Sequence, residues 1–398
     1  MLEVLFGKKN VRKNSLFILG LLLNYLFSSC TFMRAAFYNY PDARDARIFA
    51  SHTLPPAATS LEKVNIVAGN EFGKMFYSDR SQGREEDIFG MSPSRVAGAD
   101  TLDVVLRSNG TSAFMVLDEN GIVYEKYYRH STDHAFQVFS VSKSFVGIVV
   151  GIAIEEGFIR SVEDSVKNYL PSLDPSCSGL RIIDLLDMRT GVDDSFLMTM
   201  NLYYSDNLKR TAGRIKMNSK ADKGFHYSNW ATQQLMFLVE AATGQFFPDY
   251  FHRKLWEPLG MEFPGYWSLD SKTNSNVRAF CGLSLAMRDL ARFGMLLLGD
   301  GQWKGKEIIS PSWIHNTLTL SYPDSDRHAC SFSDYPYSLH WRIVREQQIL
   351  SAIGLFGQFL YIDRENRRII IRLGNRSGKV DWIQLFRSME FVTSDMAP

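Results

Sequence analysis

Residues 136 to 157, FQVFSVSKSFVGIVVGIAIEEG, constrain the fold more than any other stretch. Phe145, Ile148, Val149, Ile152 and Ile154 are apolar, and so are most positions between them. A helix without a polar face has to be covered on all sides. The run is too short to cross a bilayer, so it predicts a helix at the centre of a core, closed by Gly157 after Glu155 and Glu156. Its start does not fit that setting, because Ser140, Ser142, Lys143 and Ser144 are polar. These residues either cap the helix or carry out chemistry.

A chain of 398 residues can bury such a helix within one large domain or two. With 45% hydrophobic and 22% charged residues it reads as an ordinary globular protein. The formal charge is +1, and Lys and Arg are scattered, so no nucleic-acid partner is expected. Cys30, Cys177, Cys281 and Cys330 form no CxxC pair, which argues against a disulfide framework or structural zinc. His130 and His134 are four apart, but Thr132 and Asp133 make a loop there, and no third ligand is near; neither metal nor cofactor is expected.

Lys8, Lys9, Arg12 and Lys13 precede an uncharged stretch, SLFILGLLLNYLFSSCTFM, at residues 15 to 33. A basic segment followed by an apolar one is the grammar of export, with the remainder of the chain outside the cytoplasm. The end of the stretch, LFSSC, resembles a bacterial lipoprotein signal, with Phe27 where leucine is usual. Lipidated Cys30 or an uncleaved helix would attach the protein to the membrane; a cleaved signal would leave it secreted. The expected location is the bacterial cell envelope.

Residues 1–33 are therefore read as signal or anchor and 34–100 as an extension covering another part. From 112 two strand-like runs flank Glu119-Asn120-Gly121, a hairpin signal. Residues 179–285 read as helical, and the chain returns to strands in YSLHWRIV, FGQFLYID and RRIIIRLG before a last amphipathic helix. Strands at both ends predict an α/β part from residues 101–178 and 286–398, with 179–285 as a helical part.

Ser140 and Lys143 form a Ser-x-x-Lys. A serine hydroxyl attacks carbonyls only when something takes its proton. A lysine three residues on shares the helical face and, when shielded from water, can be that base. Backbone N–H groups at the helix start can hold a developing oxyanion. A second match, Ser60 to Lys63, opens no buried helix. Tyr227-Ser228-Asn229 is the chain's one Tyr-x-Asn, in a loop before a helix. Its phenol can exchange protons with a lysine and a serine, and its amide can hold a lysine and a carbonyl; alternatively Asn229 is an N-cap.

Ser-x-x-Lys followed by Tyr-x-Asn, with SVEDSVKNYLPSL, RIIDLLDMRTGV, KLWEPLGM and CGLSLAMRDLARFGMLLLGDG in the same order, resembles the serine β-lactamase and penicillin-recognising hydrolases of the class C-like type. The resemblance covers roughly residues 100 to 390. It implies an α+β fold, an antiparallel sheet flanked by helices plus a helical domain, with the site between them. It implies Ser140 as nucleophile, Lys143 and Tyr227 sharing the proton transfers, and Asn229 holding Lys143 and the substrate. The third family motif departs from the pattern: Ala352-Ile353-Gly354 stands where a basic triplet is usual. Gly354 still lets substrate approach, and the N–H groups of Leu355 and Ser140 could form an oxyanion hole.

The missing cation leaves Lys143 a larger share of the base role and puts β-lactamase or D-Ala-D-Ala peptidase activity in doubt. The phrase resembles the 6-aminohexanoate-dimer hydrolase and esterase branch. The expected activity is hydrolysis of an amide or ester, in a small molecule or peptide, through an acyl-enzyme. A penicillin- or peptidoglycan-binding sensor without turnover is the other class of reading, and the pocket is expected to include residues 192 to 207.

Overall fold

The computed structural model describes residues 41, 45, 48–58, 100–192, 195–217, 224–318, 335–344 and 348–389. The signal-like stretch with Cys30 and the second Ser-x-x-Lys at Ser60 lie outside them. Among the described residues no helix is long and apolar enough to cross a membrane.

Seven strands form one sheet: β1 (Thr111–Asp118), β2 (Gly121–Tyr127), β3 (Tyr337–Ser338), β4 (Trp341–Val344), β5 (Ile349–Gly354), β6 (Gln358–Asp363) and β7 (Arg368–Gly374). Their order is β2-β1-β7-β6-β5-β4-β3, with every neighbouring pair antiparallel. The two ends of the chain meet at β1 and β7, where Val116 lies opposite Ile370. Polar side chains fix the tight turns. Asp118 accepts from the N–H groups of Asn120 and Gly121, and Asp363 from that of Asn366.

Alternate residues divide between the faces. Met115, Leu117, Leu360, Ile362, Ile369 and Ile371 join the main core. Phe114, Val116, Phe359, Tyr361 and Ile370 join a second one. Helices α1 (Asp100–Ser108) and α5 (Trp382–Ser388) close the second core. On the other face lie α2 (Ser142–Glu155), α3 (Asn229–Thr243) and α4 (Met287–Leu298), with α4 against β6 and β7 and α2 against α3. Cover on both faces explains why Arg368–Gly374 reads as an almost unbroken apolar run.

The opening run forms α2, buried from Ser142 to Ala153 as its composition requires. Phe145 stacks on Phe293 of α4 at 3.7 Å, and Phe293 stacks on Trp341 of β4 at 6.0 Å, so aromatic rings link the helix to the sheet. At Gly151 the Pro311–Leu318 helix comes so close that an added Cβ would lie 2.6 Å from the Trp313 ring.

The remaining helices include Ile182–Leu186, Phe196–Tyr203 and Leu208–Gly213. Gly265–Ser268 and Leu283–Leu285 are strands inside the stretch read as helical, too short to show a period of their own. They pair with Ser51–Leu54 and Phe136–Gln137 in a four-stranded sheet. This sheet ties a segment of the N-terminal extension to the chain just before α2.

Phe145→Ala should lower the unfolding free energy by about 3–5 kcal/mol, because a buried ring would leave a cavity between α2 and α4. Urea unfolding followed by circular dichroism measures it.

Candidate active site

Ser140 lies in a single 3-10 turn, Phe139–Val141, immediately before α2 starts at Ser142. The sequence placed Ser140 at the helix start itself. The turn intervenes because Phe139 takes a φ of 48°, which lets the Val141 N–H reach the Val138 carbonyl at 3.1 Å. A bulky residue in that region is strained, and here packing holds it: Phe139 is buried and edge-on to Phe356 at 5.3 Å. No side chain caps either the turn or α2.

The hydroxyl instead accepts a hydrogen bond from Lys143 Nζ at 2.9 Å. Lys143 is 1% exposed, and its ammonium also donates to the Phe280 carbonyl at 2.7 Å. Tyr227 closes a further side, its ring centroid 4.8 Å from Nζ. Phe280 is held in place because the next residues bond to either side of the Ser140 turn. Leu283 O accepts from Val138 N at 3.0 Å, and Leu283 N donates to Ser142 Oγ at 3.2 Å. Burial pushes the neighbouring Cys281 thiol up to about 12, which keeps it protonated and unreactive.

Asn229 is the first residue of α3, and Ser228 is its N-cap, accepting from Ala231 N at 3.2 Å. The Asn229 amide donates to Thr199 Oγ1 at 3.4 Å, which joins the site to the Phe196–Tyr203 helix. Of the stretch expected to line the pocket, Tyr203 and Tyr204 are buried in the core, while Phe196 and Leu197 are exposed.

Gly354 ends β5 against the Ser140 turn, where an added Cβ would sit 2.3 Å from the Val138 carbonyl. Leu355, Phe356 and Gly357 then turn the chain into β6, with Gly357 N bonded to Gly354 O at 3.2 Å. Neither the Ser140 nor the Leu355 N–H donates to a group among the described residues. The turn is fixed from behind by Arg372, which donates to the Gly357 carbonyl at 2.5 Å and stacks on Trp382.

Sequence reasoning missed four neighbours. The Phe280 carbonyl has no side-chain signature. Tyr337 and Arg342 come from β3 and β4, Arg342 Cζ standing 5.9 Å from the Tyr227 centroid and 5.7 Å from that of Tyr337. Burial, with Tyr227 alongside, holds the Tyr337 phenol well above its usual range. His340 sits at a φ of 68° with its carbonyl accepting from Ser144 Oγ at 2.8 Å. Its Nδ1 donates to Leu186 O at 2.9 Å, and Nε2 accepts from Thr232 Oγ1 at 3.0 Å. His130 and His134 stack face to face at 3.8 Å in a loop.

The beta-lactamase family model matches residues 107–392. A curated relative, the 6-aminohexanoate-dimer hydrolase of Paenarthrobacter ureafaciens, is 27% identical over 297 residues, 69% of this chain and 75% of its own. A solved structure assigned as a 6-aminohexanoate-dimer hydrolase from Bacillus anthracis superposes with a TM-score of 0.72 at 20% identity, covering 91% of this chain and 93% of that one. EstCE1, described as a hydrolase with promiscuous acyltransferase activity, superposes with a TM-score of 0.59 at 13% identity, covering 72% and 95%. At such identities the two solved structures speak for the fold.

Two outcomes follow from this geometry. Gly354→Val should push the end of β5 off the Val138 carbonyl and lower kcat about 10²–10³-fold, the size of effect that loss of one positioned hydrogen-bond donor has, with the circular dichroism spectrum unchanged. Burial lowers the His340 pKa to about 3, so the folded protein keeps the ring neutral. The unfolded chain takes up a proton near pH 6.5 that the folded one refuses, and stability present above that pH falls as pH drops toward 3. The loss should be on the order of a few kcal/mol. Thermal unfolding from pH 7.5 to 4 should show a declining Tm that is flatter in His340→Gln.

Proposed function

The chain belongs to the beta-lactamase family and is a serine hydrolase of it; from that premise we propose that Ser140 cleaves a linear amide or ester through an acyl-enzyme. The hydrogen bond from a buried Lys143 Nζ to Ser140 Oγ at 2.9 Å carries this reading. Lys143 takes the hydroxyl proton as Oγ attacks the carbonyl carbon. The N–H groups of Ser140 and Leu355 receive the oxyanion. Tyr227, against the ammonium, passes the proton to the leaving nitrogen or oxygen. Water then attacks the ester on Ser140 with Lys143 and Tyr227 again moving the proton, and the acid leaves.

Asn229, at the first turn of α3, orients the substrate. Amides are favoured over β-lactams as substrates by the relative named for the 6-aminohexanoate dimer and by Ala352 and Ile353 in place of basic residues. Residues 8 to 33 support export to the cell envelope, with attachment through lipidated Cys30 or an uncleaved helix.

A fluorophosphonate probe should label the protein at Ser140 and leave Ser140→Ala unlabelled; equal labelling of both would overturn the assignment. With a p-nitrophenyl ester or p-nitroanilide series, Tyr227→Phe should lower kcat roughly 10²–10⁴-fold.

A further inference from the structure

Part of the N-terminal extension packs against residues that lead to the candidate site, although it precedes the stretch that carries the family match. Asp45 and Phe49 belong to it, and Ser51–Leu54 continues it as an edge strand paired with Gly265–Ser268. Asp45 is only 3% exposed. A carboxylate this far from water is costly unless hydrogen bonds hold it. The Tyr203 hydroxyl donates to it at 2.6 Å. Burial, with Cys281 and Asp45 alongside, holds that phenol well above its usual range, so it remains a donor.

Phe49 meets the Tyr203 ring edge-on at 5.4 Å and carries the Arg278 guanidinium on its face, with Cζ 3.8 Å from the centroid. Arg278 is fully buried. It donates to the carbonyls of Tyr203 at 2.8 Å, Ser205 at 3.0 Å and Leu269. Tyr203 is therefore gripped at both ends, its hydroxyl by Asp45 and its backbone carbonyl by Arg278. The extension reaches that grip twice, once through each of its two side chains.

The backbone of Arg278 passes the constraint on to Lys143. Its carbonyl accepts from Gly282 N at 2.7 Å, closing a turn that contains Phe280. An added Cβ at Gly282 would lie 2.6 Å from that same carbonyl, so the turn has no slack. Within it the Phe280 carbonyl takes the hydrogen bond from Lys143 Nζ at 2.7 Å. We propose that Asp45 and Phe49 are positioning residues for the hydrolytic reaction, holding the Phe280 carbonyl, and through it the Lys143 amine, in place against Ser140. Displacing either one moves a reacting group and leaves the substrate contacts as they were. The proposal rests on the reading of Ser140 and Lys143 as the catalytic pair.

The full-length chain and its variants can be compared by p-nitrophenyl acetate turnover and by the rate of fluorophosphonate labelling at Ser140. Asp45→Ala and Phe49→Leu should each lower kcat and the labelling rate about 10- to 100-fold, with KM little changed, as expected when a reacting group is misplaced. Asp45→Asn keeps an oxygen for the Tyr203 hydroxyl and should recover most of the rate. Val116→Ala, a cavity in the second core, should lower Tm without slowing the labelling. Wild-type kcat and labelling in a folded Asp45→Ala or Phe49→Leu overturns the proposal. So does an equal slowing in Val116→Ala, which would trace the effect to stability alone. Phe49→Leu keeps an apolar side chain in place and decides the question where Asp45→Ala does not fold. A wild type that takes no label at Ser140 sinks the catalytic reading, whereas normal labelling of wild type and variants alike sinks this proposal alone.

Discussion

The ammonium of Lys143 is the constraint on which the surrounding structure depends. It is 1% exposed on a helix with no polar face, where an unpaired charge would be costly. The Phe280 carbonyl and the Ser140 hydroxyl take up its N–H groups, and the Tyr227 ring covers it. Each partner comes from a different part of the chain, so one buried side chain fixes how the Ser140 turn, the loop before α3 and the segment leading to Leu283 sit together. The apolar body of α2 keeps water from relaxing that arrangement.

Much of this was legible in the sequence because it depends on side-chain chemistry. The uniform apolarity of α2 required burial, and the alternation in the Gly121 and Asp363 hairpins required a sheet joining both chain ends. Ser140, Lys143 and Tyr227 could be named because Ser-x-x-Lys and Tyr-x-Asn stand in the order of a known family; hydroxyl, amine and phenol chemistry alone left helix capping open. What stayed hidden depends on backbone or on long-range pairing. The Phe280 carbonyl could belong to any residue. The strained φ of Phe139 leaves no compositional mark, since the residue expected there would be glycine or asparagine. Arg342 looks like any strand arginine until β4 is paired with β5.

The third motif shows how a local departure is met by the neighbouring strand. Ala352 and Ile353 bring no charge to the strand facing Ser140. The register of β4 against β5 sets Arg342 opposite Ser351 instead, and its side chain reaches the same tyrosine. Electrostatics at a site is a property of the assembled sheet, and reading one strand at a time undercounts it.

The two free N–H groups of the proposed oxyanion hole come from opposite halves of the chain, one ahead of α2 and one at the β5–β6 turn. Phe139 and Phe356, both in left-handed backbone, meet edge to face where those halves join. The meeting of those halves therefore cannot exist in a nascent chain. Until the C-terminal strands have been synthesised and have added to β1, Ser140 has Lys143 beside it but not the Leu355 N–H. On the proposed mechanism such a chain would be chemically silent until its last strands have closed the sheet.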